Sequence, residues 1–110
     1  MKFNRLKTKR EYHDSIITAV NWRSDNDFEI TIALDTHWNK SSPETCAIQF
    51  LKVRNRPDIE AALQQIASNQ THRRWIAEIV AFRRYGKTSY ILYTTPQPPL
   101  VIDCASYIEV

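Results

Sequence analysis

Phe28-Glu29-Ile30-Thr31-Ile32-Ala33-Leu34 is the stretch that decides the fold, because every second residue in it is large and apolar. Successive side chains on a β-strand point to opposite faces, so a period of two predicts a half-buried strand. Residues 15–23 predict a strand before it, with Ile16, Val20 and Trp22 on one face. The polar residues 24–27 have turn composition, so we expect these two strands to form a hairpin.

Residues 45–53 follow a longer loop at 35–44 and predict a third strand. Cys46, Ile48 and Phe50 alternate with Ala47, Leu51 and Val53, and apolar residues on both faces are typical of a central strand that is covered on both sides.

A helix is predicted over residues 57–68. Asn55 supplies a capping side chain, Pro57 suits the first turn, and Asp58 favours the positive end of the helix dipole. Leu63 and Ile66 belong to an apolar series at helical spacing, so we expect this side of the helix to pack on the sheet.

Residues 75–85 fit both a helical and an alternating pattern. We favour a strand, because a turn at Gly86 leads directly to residues 89–95, which are rich in Tyr, Ile and Thr. The prolines of residues 96–99 interrupt pairing, and residues 100–110 predict a last strand. The expected structure is a single α+β domain over residues 1–110, in which one helix packs on an antiparallel sheet of about six strands, in the order β-β-β-α-β-β-β.

The composition is globular, with 43% hydrophobic and 25% charged residues. Residues 1–10 contain five bases and no acid, whereas residues 11–110 contain ten bases and twelve acids, which indicates a basic N-terminal arm at 1–10. No apolar run approaches the roughly 20 residues that span a bilayer, so we expect a cytoplasmic protein without a membrane partner. Cys46 and Cys104 are too few for a disulfide framework and are expected to be reduced and buried.

Motifs for cofactor or metal chemistry are weak. A single glycine in the chain excludes dinucleotide fingerprints and nucleophile elbows. Residues 81–88 match a relaxed phosphate-loop pattern, but bulky side chains fill the loop and a strand follows it, so a hairpin turn is the better interpretation. The histidines and cysteines lack metal-ligand spacing, so we expect neither a metal nor another cofactor.

His13-Asp14-Ser15 contains the three residue types of a hydrolytic triad, but consecutive residues cannot form one. On an extended chain, His13 and Ser15 share a face and Asp14 points away. We therefore expect Asp14 and Ser15 to bind nearby backbone N–H groups. An enzyme that uses His13 and Asp14 with His37 or His72 is kept as an alternative.

A basic and aromatic surface is the other candidate site, and it would suit RNA or single-stranded DNA together with the N-terminal arm. Its strongest competitor is an ordinary solvated sheet face, because acids elsewhere in the chain offset the positive charge. The candidate residues are Arg73, Arg74, Arg83, Arg84, Tyr85, Lys87 and Tyr90, with Trp75 beside them.

The His13-Asp14-Ser15 step before a strand, the alternating second strand and the alternating run at 100–110 resemble a loose group of small, β-rich bacterial domains. Some of these domains are described as immunity-protein-like. The resemblance implies a bacterial origin and a binding rather than a catalytic role, and it supplies no catalytic residue. We expect a non-enzymatic module that binds a protein partner or itself and neutralises or regulates that partner. His13 and Asp14 join the candidate surface, and nucleic-acid binding is the alternative.

Overall fold

The computed structural model describes residues 3–40, 43–69 and 75–110, and within them the chain forms eight strands and one helix. Every strand pairing in these ranges is antiparallel, so the predicted α+β class with an antiparallel sheet is confirmed. The elements are β1 (Phe3–Arg5), β2 (Ile16–Trp22), β3 (Phe28–Ala33), β4 (Thr45–Leu51), α1 (Arg56–Asn69), β5 (Ala77–Tyr85), β6 (Ser89–Thr95), β7 (Leu100–Asp103) and β8 (Ser106–Glu109).

Two three-stranded meanders, with β1 and β8 added to them, make up the sheet. Its order is β7-β6-β5-β2-β3-β4-β8, and β1 pairs with β5 beside this path. The strands β2, β3 and β4 form one meander and β5, β6 and β7 the other, with α1 connecting them. They meet where β2 pairs with β5. Residues 75–85, whose pattern was ambiguous, therefore contain a strand, as predicted.

The predicted element order was wrong at both ends of the chain. β1 precedes the first predicted strand, and the strand predicted over 100–110 is divided into β7 and β8, which lie at opposite ends of the sheet. Cys104 N donates to Thr88 O at 3.0 Å, and Ala105 N donates to Leu51 O at 3.0 Å. The chain thus crosses from one end of the sheet to the other within two residues, and the sheet is strongly curled.

The curled sheet encloses an apolar core. Phe50, Phe82, Tyr90 and Tyr107 form an aromatic cluster whose ring centroids lie 5.1–6.4 Å apart. Such edge and tilted contacts are the favoured geometries of aromatic pairs. The aromatic cluster therefore holds together strands from both meanders.

The helix α1 packs against β7 and completes this core. Ile59 and Ile66 are fully buried, whereas Leu63 is only partly buried against the core. The apolar side of the helix therefore faces the sheet, as its spacing predicted. In the described part of the chain, no helix has the length and apolar character needed to cross a membrane.

The face assignment of the first predicted strand needs a correction. Ile17, not Ile16, is fully buried, whereas Val20 and Trp22 are partly buried. A bulge between Ile17 and Ala19 shifts the pairing with β3 by one residue. A bulge moves the alternation to the other face, so the two halves of β2 follow different registers.

The strand β4 is central, since it lies between β3 and β8. Cys46, Ile48 and Phe50 are buried, as expected. The other face is not fully covered, because Ala47 and Leu51 remain half-exposed.

The prediction that the Asn55 side chain caps the helix was wrong. Its backbone carbonyl accepts hydrogen bonds from Asp58 N and Ile59 N. The side-chain Nδ2 donates to Val101 O at 2.7 Å, and Oδ1 accepts from Asp103 N at 2.9 Å. Asn55 thereby satisfies backbone groups of the terminal strand β7, where an unpaired edge would otherwise need solvent.

Candidate functional site

A cleft of about 630 Å³ opens beside β5. Two strands, β1 and β2, pair with the same edge of β5 at different positions. The strand β2 pairs with β5 at Ala77 and Glu78, and β1 pairs with it from Arg83 to Tyr85. Between the β1–β5 and β2–β5 pairings, the connection from β1 to β2 does not pair with the sheet as a strand. Residues 6–13 of this connection, which we call the N-terminal wall, face residues 80–83 of β5 across the cleft.

The lining is partly apolar and partly basic, and its volume lies within the range of ligand pockets in proteins. The apolar residues of the lining are Leu6, Val80, Ala81 and Phe82. The charged residues are Lys7, Lys9, Arg10, Glu11 and Arg83, and Thr8, Tyr12, His13 and Trp38 complete the lining.

Asn39 fixes the middle of the N-terminal wall. Its Oδ1 accepts from Glu11 N at 3.0 Å, and its Nδ2 donates to Glu11 O at 2.7 Å and to Asp35 O at 3.1 Å. The side chain is 8% exposed, so these bonds are largely shielded from water. Asn39 therefore serves Glu11 as a neighbouring strand would, by satisfying both its backbone N–H and its carbonyl.

Glu109, at the end of β8, holds the same wall from a second direction. Its carboxylate accepts from Tyr12 OH at 2.6 Å and from Lys9 N at 2.9 and 3.0 Å. Burial raises the pKa of Tyr12, and the hydrogen bond and charge of Glu109 raise it further. The phenol therefore stays protonated and donates to Glu109 throughout the physiological pH range.

His13 spans the cleft at its β2 end. Its Nδ1 lies 2.7 Å from Val80 O, and because a carbonyl only accepts, Nδ1 is the donor. Its Nε2 lies 3.4 Å from Asp14 Oδ1. The hydrogen bond to Val80 O is the largest influence and raises the pKa of His13, and the charge of Asp14 acts in the same direction.

Trp38 lines the cleft and is 49% exposed. Its Nε1 donates to Asp14 Oδ2 at 3.3 Å. The ring makes edge contacts with those of His13 and His37, at centroid distances of 5.9 and 4.8 Å and interplanar angles of 69° and 89°. The Trp38 side chain is thus half-exposed, while its contacts with Asp14, His13 and His37 fix its orientation.

The geometry of His13-Asp14-Ser15 differs from the extended chain that was expected. Asp14 has φ of 66°, and its carboxylate turns towards His13 instead of away from it. Ser15 is fully buried, and its Oγ accepts from Asp35 N, 20 residues away, not from a nearby N–H. These residues position Trp38 and the loop of residues 35–39.

The alternative of an enzyme that uses His13 and Asp14 with His37 or His72 stays a prediction, and of these residues only His13 is in the described lining of the cleft. His13, Asp14 and His37 all contact Trp38. His72 lies outside the described residues. Within residues 3–40, 43–69 and 75–110, no group of three or more His, Cys, Asp or Glu side chains is arranged to hold a metal ion.

The predicted basic and aromatic surface is divided. Arg83 lines the cleft, and Arg84 Nη2 donates to Lys87 O at 3.0 Å across the turn at Gly86. Tyr85 is half-buried.

Tyr90 does not belong to this surface, because it is 9% exposed and packs in the aromatic cluster. Tyr90 lies opposite Arg84 in the pairing of β5 with β6. The sequence pattern of β6 did not reveal that the face of the strand with Tyr90 is buried. Arg73 and Arg74 lie outside the described residues.

The basic segment at 1–10, which was predicted as an arm, contains β1, and this strand pairs with β5. Arg10 Nη1 donates to Val110 O at 3.3 Å. From residue 3 onwards this segment therefore contributes to the sheet and to the N-terminal wall.

Trp38, Asn39 and Glu109 are among the residues of the site that were not predicted. Trp38 was noted only as part of a loop, although a tryptophan in a polar loop is itself a signal of a contact surface. Asn39 and Glu109 act through partners 28 and up to 100 residues away in the chain, and a single sequence carries no signal for such contacts.

No protein family, curated protein or solved structure matches this chain.

Proposed function

We propose that this chain is a non-catalytic protein-binding module whose contact surface is centred on Trp38 and the cleft beside it. The observation that carries the proposal is the fixed, half-exposed indole of Trp38. Tryptophan is enriched among the residues that dominate binding energy at protein interfaces. A side chain that is already held loses little conformational freedom when a partner covers it.

The titratable groups around the cleft act on the protein's own structure, which favours binding over catalysis. Glu109 holds Tyr12 and Lys9, and Asp14 holds Trp38. Both nitrogens of His13 face groups of the chain. A general acid or base needs a ring nitrogen directed at substrate.

A module of this kind acts by covering or regulating its partner, which is the role that the resemblance to immunity-protein-like domains implies. The alternative, nucleic-acid binding, is weakened by the burial of Tyr90, because stacking on bases needs exposed rings.

The proposal is tested by capturing partners from a nuclease-treated lysate of the source cells on three immobilised proteins. These are the natural chain, Trp38→Ala and a control, Ile108→Ala. Ile108 is 47% exposed, so the control removes an equally exposed apolar side chain from β8, which does not line the cleft. Circular dichroism confirms that each variant is folded.

We expect one protein to be retained in near-stoichiometric amount by the natural chain and Ile108→Ala, and at least tenfold less by Trp38→Ala, as for a dominant interface residue. Equal retention by Trp38→Ala would overturn the proposal. A parallel capture from an untreated lysate completes the test, because retention that is seen there but disappears with nuclease treatment would favour nucleic-acid binding.

A further inference from the structure

Basic side chains outnumber acidic ones around the cleft. Lys7, Lys9, Arg10 and Arg83 line it, against Glu11 in the lining and the carboxylates of Asp14 and Glu109, which bind lining residues. None of these four bases forms an ion pair with an Asp or Glu side chain within the described ranges, and Arg10 Nη1 donates to Val110 O at 3.3 Å. The ion pairs of the described residues are Arg23–Glu29, Arg54–Asp103, Arg56–Glu60 and His13–Asp14.

The floor of the same cleft is apolar. Val80 is 42% exposed, and Leu6 and Ala81 line the cleft with it, whereas the ring of Phe82 is 5% exposed and packs in the aromatic cluster. An occupant that complements both features has negative charge at its edges and an apolar group at its centre.

The shape of the cleft selects an extended occupant. It follows β5 over residues 80–83, of which 80–82 lie between the pairings with β2 and β1 and Arg83 is the first residue paired with β1. Four residues of a strand span about 13 Å. A segment lying along this part of β5 thus places about four of its own residues inside the cleft.

We propose that the cleft binds an acidic, extended peptide segment of the partner protein, with its carboxylates at Arg83 and Lys9 and an apolar side chain on Val80. This inference rests on the proposed function, because the partner is the protein that covers Trp38. Arg83 Nη1 donates to Phe82 O at 3.1 Å, and the remaining N–H groups of its guanidinium suit a carboxylate.

A peptide fits the site better than a nucleic acid does. Glu11 lines the cleft, and the carboxylates of Asp14 and Glu109 bind residues of its lining. A continuous row of phosphates would be repelled at these points, whereas a peptide can place neutral residues there. The apolar floor at Val80 also suits a peptide side chain.

Fluorescence anisotropy with labelled probes tests the inference. The probes are an eight-residue peptide of Glu and Asp with one central Leu, the same peptide with Gln and Asn replacing the acids, and an eight-nucleotide oligothymidine. The proteins are the natural chain, Arg83→Gln, Lys9→Gln and a matched control, Lys87→Gln. Lys87 is an exposed base in the β5–β6 turn and does not line the cleft.

We expect the natural chain and Lys87→Gln to bind the acidic peptide within twofold of each other, and Arg83→Gln and Lys9→Gln to bind it at least fivefold more weakly. The neutral peptide should bind at least tenfold more weakly than the acidic one. The inference is overturned if the acidic peptide does not bind, if oligothymidine binds more tightly, or if Lys87→Gln weakens binding as much as Arg83→Gln.

Including Arg83→Gln in the lysate capture separates the two proposals. Capture that depends on Trp38 but not on Arg83 would leave the contact surface standing and overturn the acidic occupant. Capture that depends on neither residue would overturn the proposed function as well.

Discussion

Asn39→Ala is expected to lower the free energy of unfolding by about 2–3 kcal/mol, although residue 39 lies in a loop. The substitution removes the three hydrogen bonds that Asn39 makes with Glu11 and Asp35. A hydrogen bond of this kind contributes about 1 kcal/mol net, and the cost rises where a buried partner is left unsatisfied. The N-terminal wall would lose the contact that holds its middle.

Urea denaturation at neutral pH, followed by circular dichroism, measures this loss. Asn21→Ala is the matched control, because Asn21 is exposed on β2, and a surface substitution of this kind changes stability by about 0.5 kcal/mol or less. Asn39→Asp is a second comparison. It keeps the acceptor for Glu11 N but directs a carboxylate oxygen at two carbonyls, so its loss should be at least as large as that of Asn39→Ala. Equal losses for Asn39→Ala and Asn21→Ala would refute the assigned role of Asn39.

Three further predictions concern titration and packing. The pKa of His13 is raised above 6.5 in the folded chain, so the protonated ring contributes stability that is complete below pH 6.5 and is lost as the pH rises through the folded pKa. The difference in free energy of unfolding between the natural chain and His13→Gln should therefore be larger near about pH 5 than near about pH 8. A difference in urea denaturation that does not depend on pH would contradict this. Burial raises the pKa of the Cys104 thiol to about 11. Alkylation of Cys104 near about pH 8, followed by mass spectrometry, should therefore be at least tenfold slower in the folded than in the urea-unfolded chain. Equal rates would count against a buried thiol. Ile66→Ala should cost about 2–5 kcal/mol in urea denaturation and Leu63→Ala clearly less, because Ile66 is fully and Leu63 only partly buried; the reverse order would mean that the helix packs on another side.

The sequence was sufficient for the elements whose pattern is local. The period of two predicted β3 and β4, and the spacing from Ile59 to Ile66 predicted the buried side of α1. Gly86, with φ of 68°, marks the turn between β5 and β6 that the pattern indicated.

Other features depend on distant contacts and could not be predicted. The division of the C-terminal run at Cys104 and Ala105 depends on acceptors in Thr88 and Leu51. The alternation of residues 100–110 continues across this break, so the sequence alone resembles one strand.

The candidate site was predicted only in part. His13, Asp14 and Arg83 were predicted and lie at the cleft, because charged side chains beside strands are visible in a sequence. Tyr90 was misplaced, since both faces of β6 carry large apolar residues and the pattern does not distinguish the buried one. The cleft itself arises from the pairing of β1 with β5, which three residues of N-terminal sequence do not reveal.

Site-specific photocrosslinking in the source cells tests the central claim most directly. A benzoylphenylalanine replaces Thr36, which is exposed two residues from Trp38, or Ser68, which is exposed on α1 as a control. We predict that one protein crosslinks from position 36, none from position 68, and that Trp38→Ala abolishes the crosslink. The same crosslinked proteins from both positions, or a crosslink at 36 that persists with Trp38→Ala, would contradict a contact surface centred on Trp38.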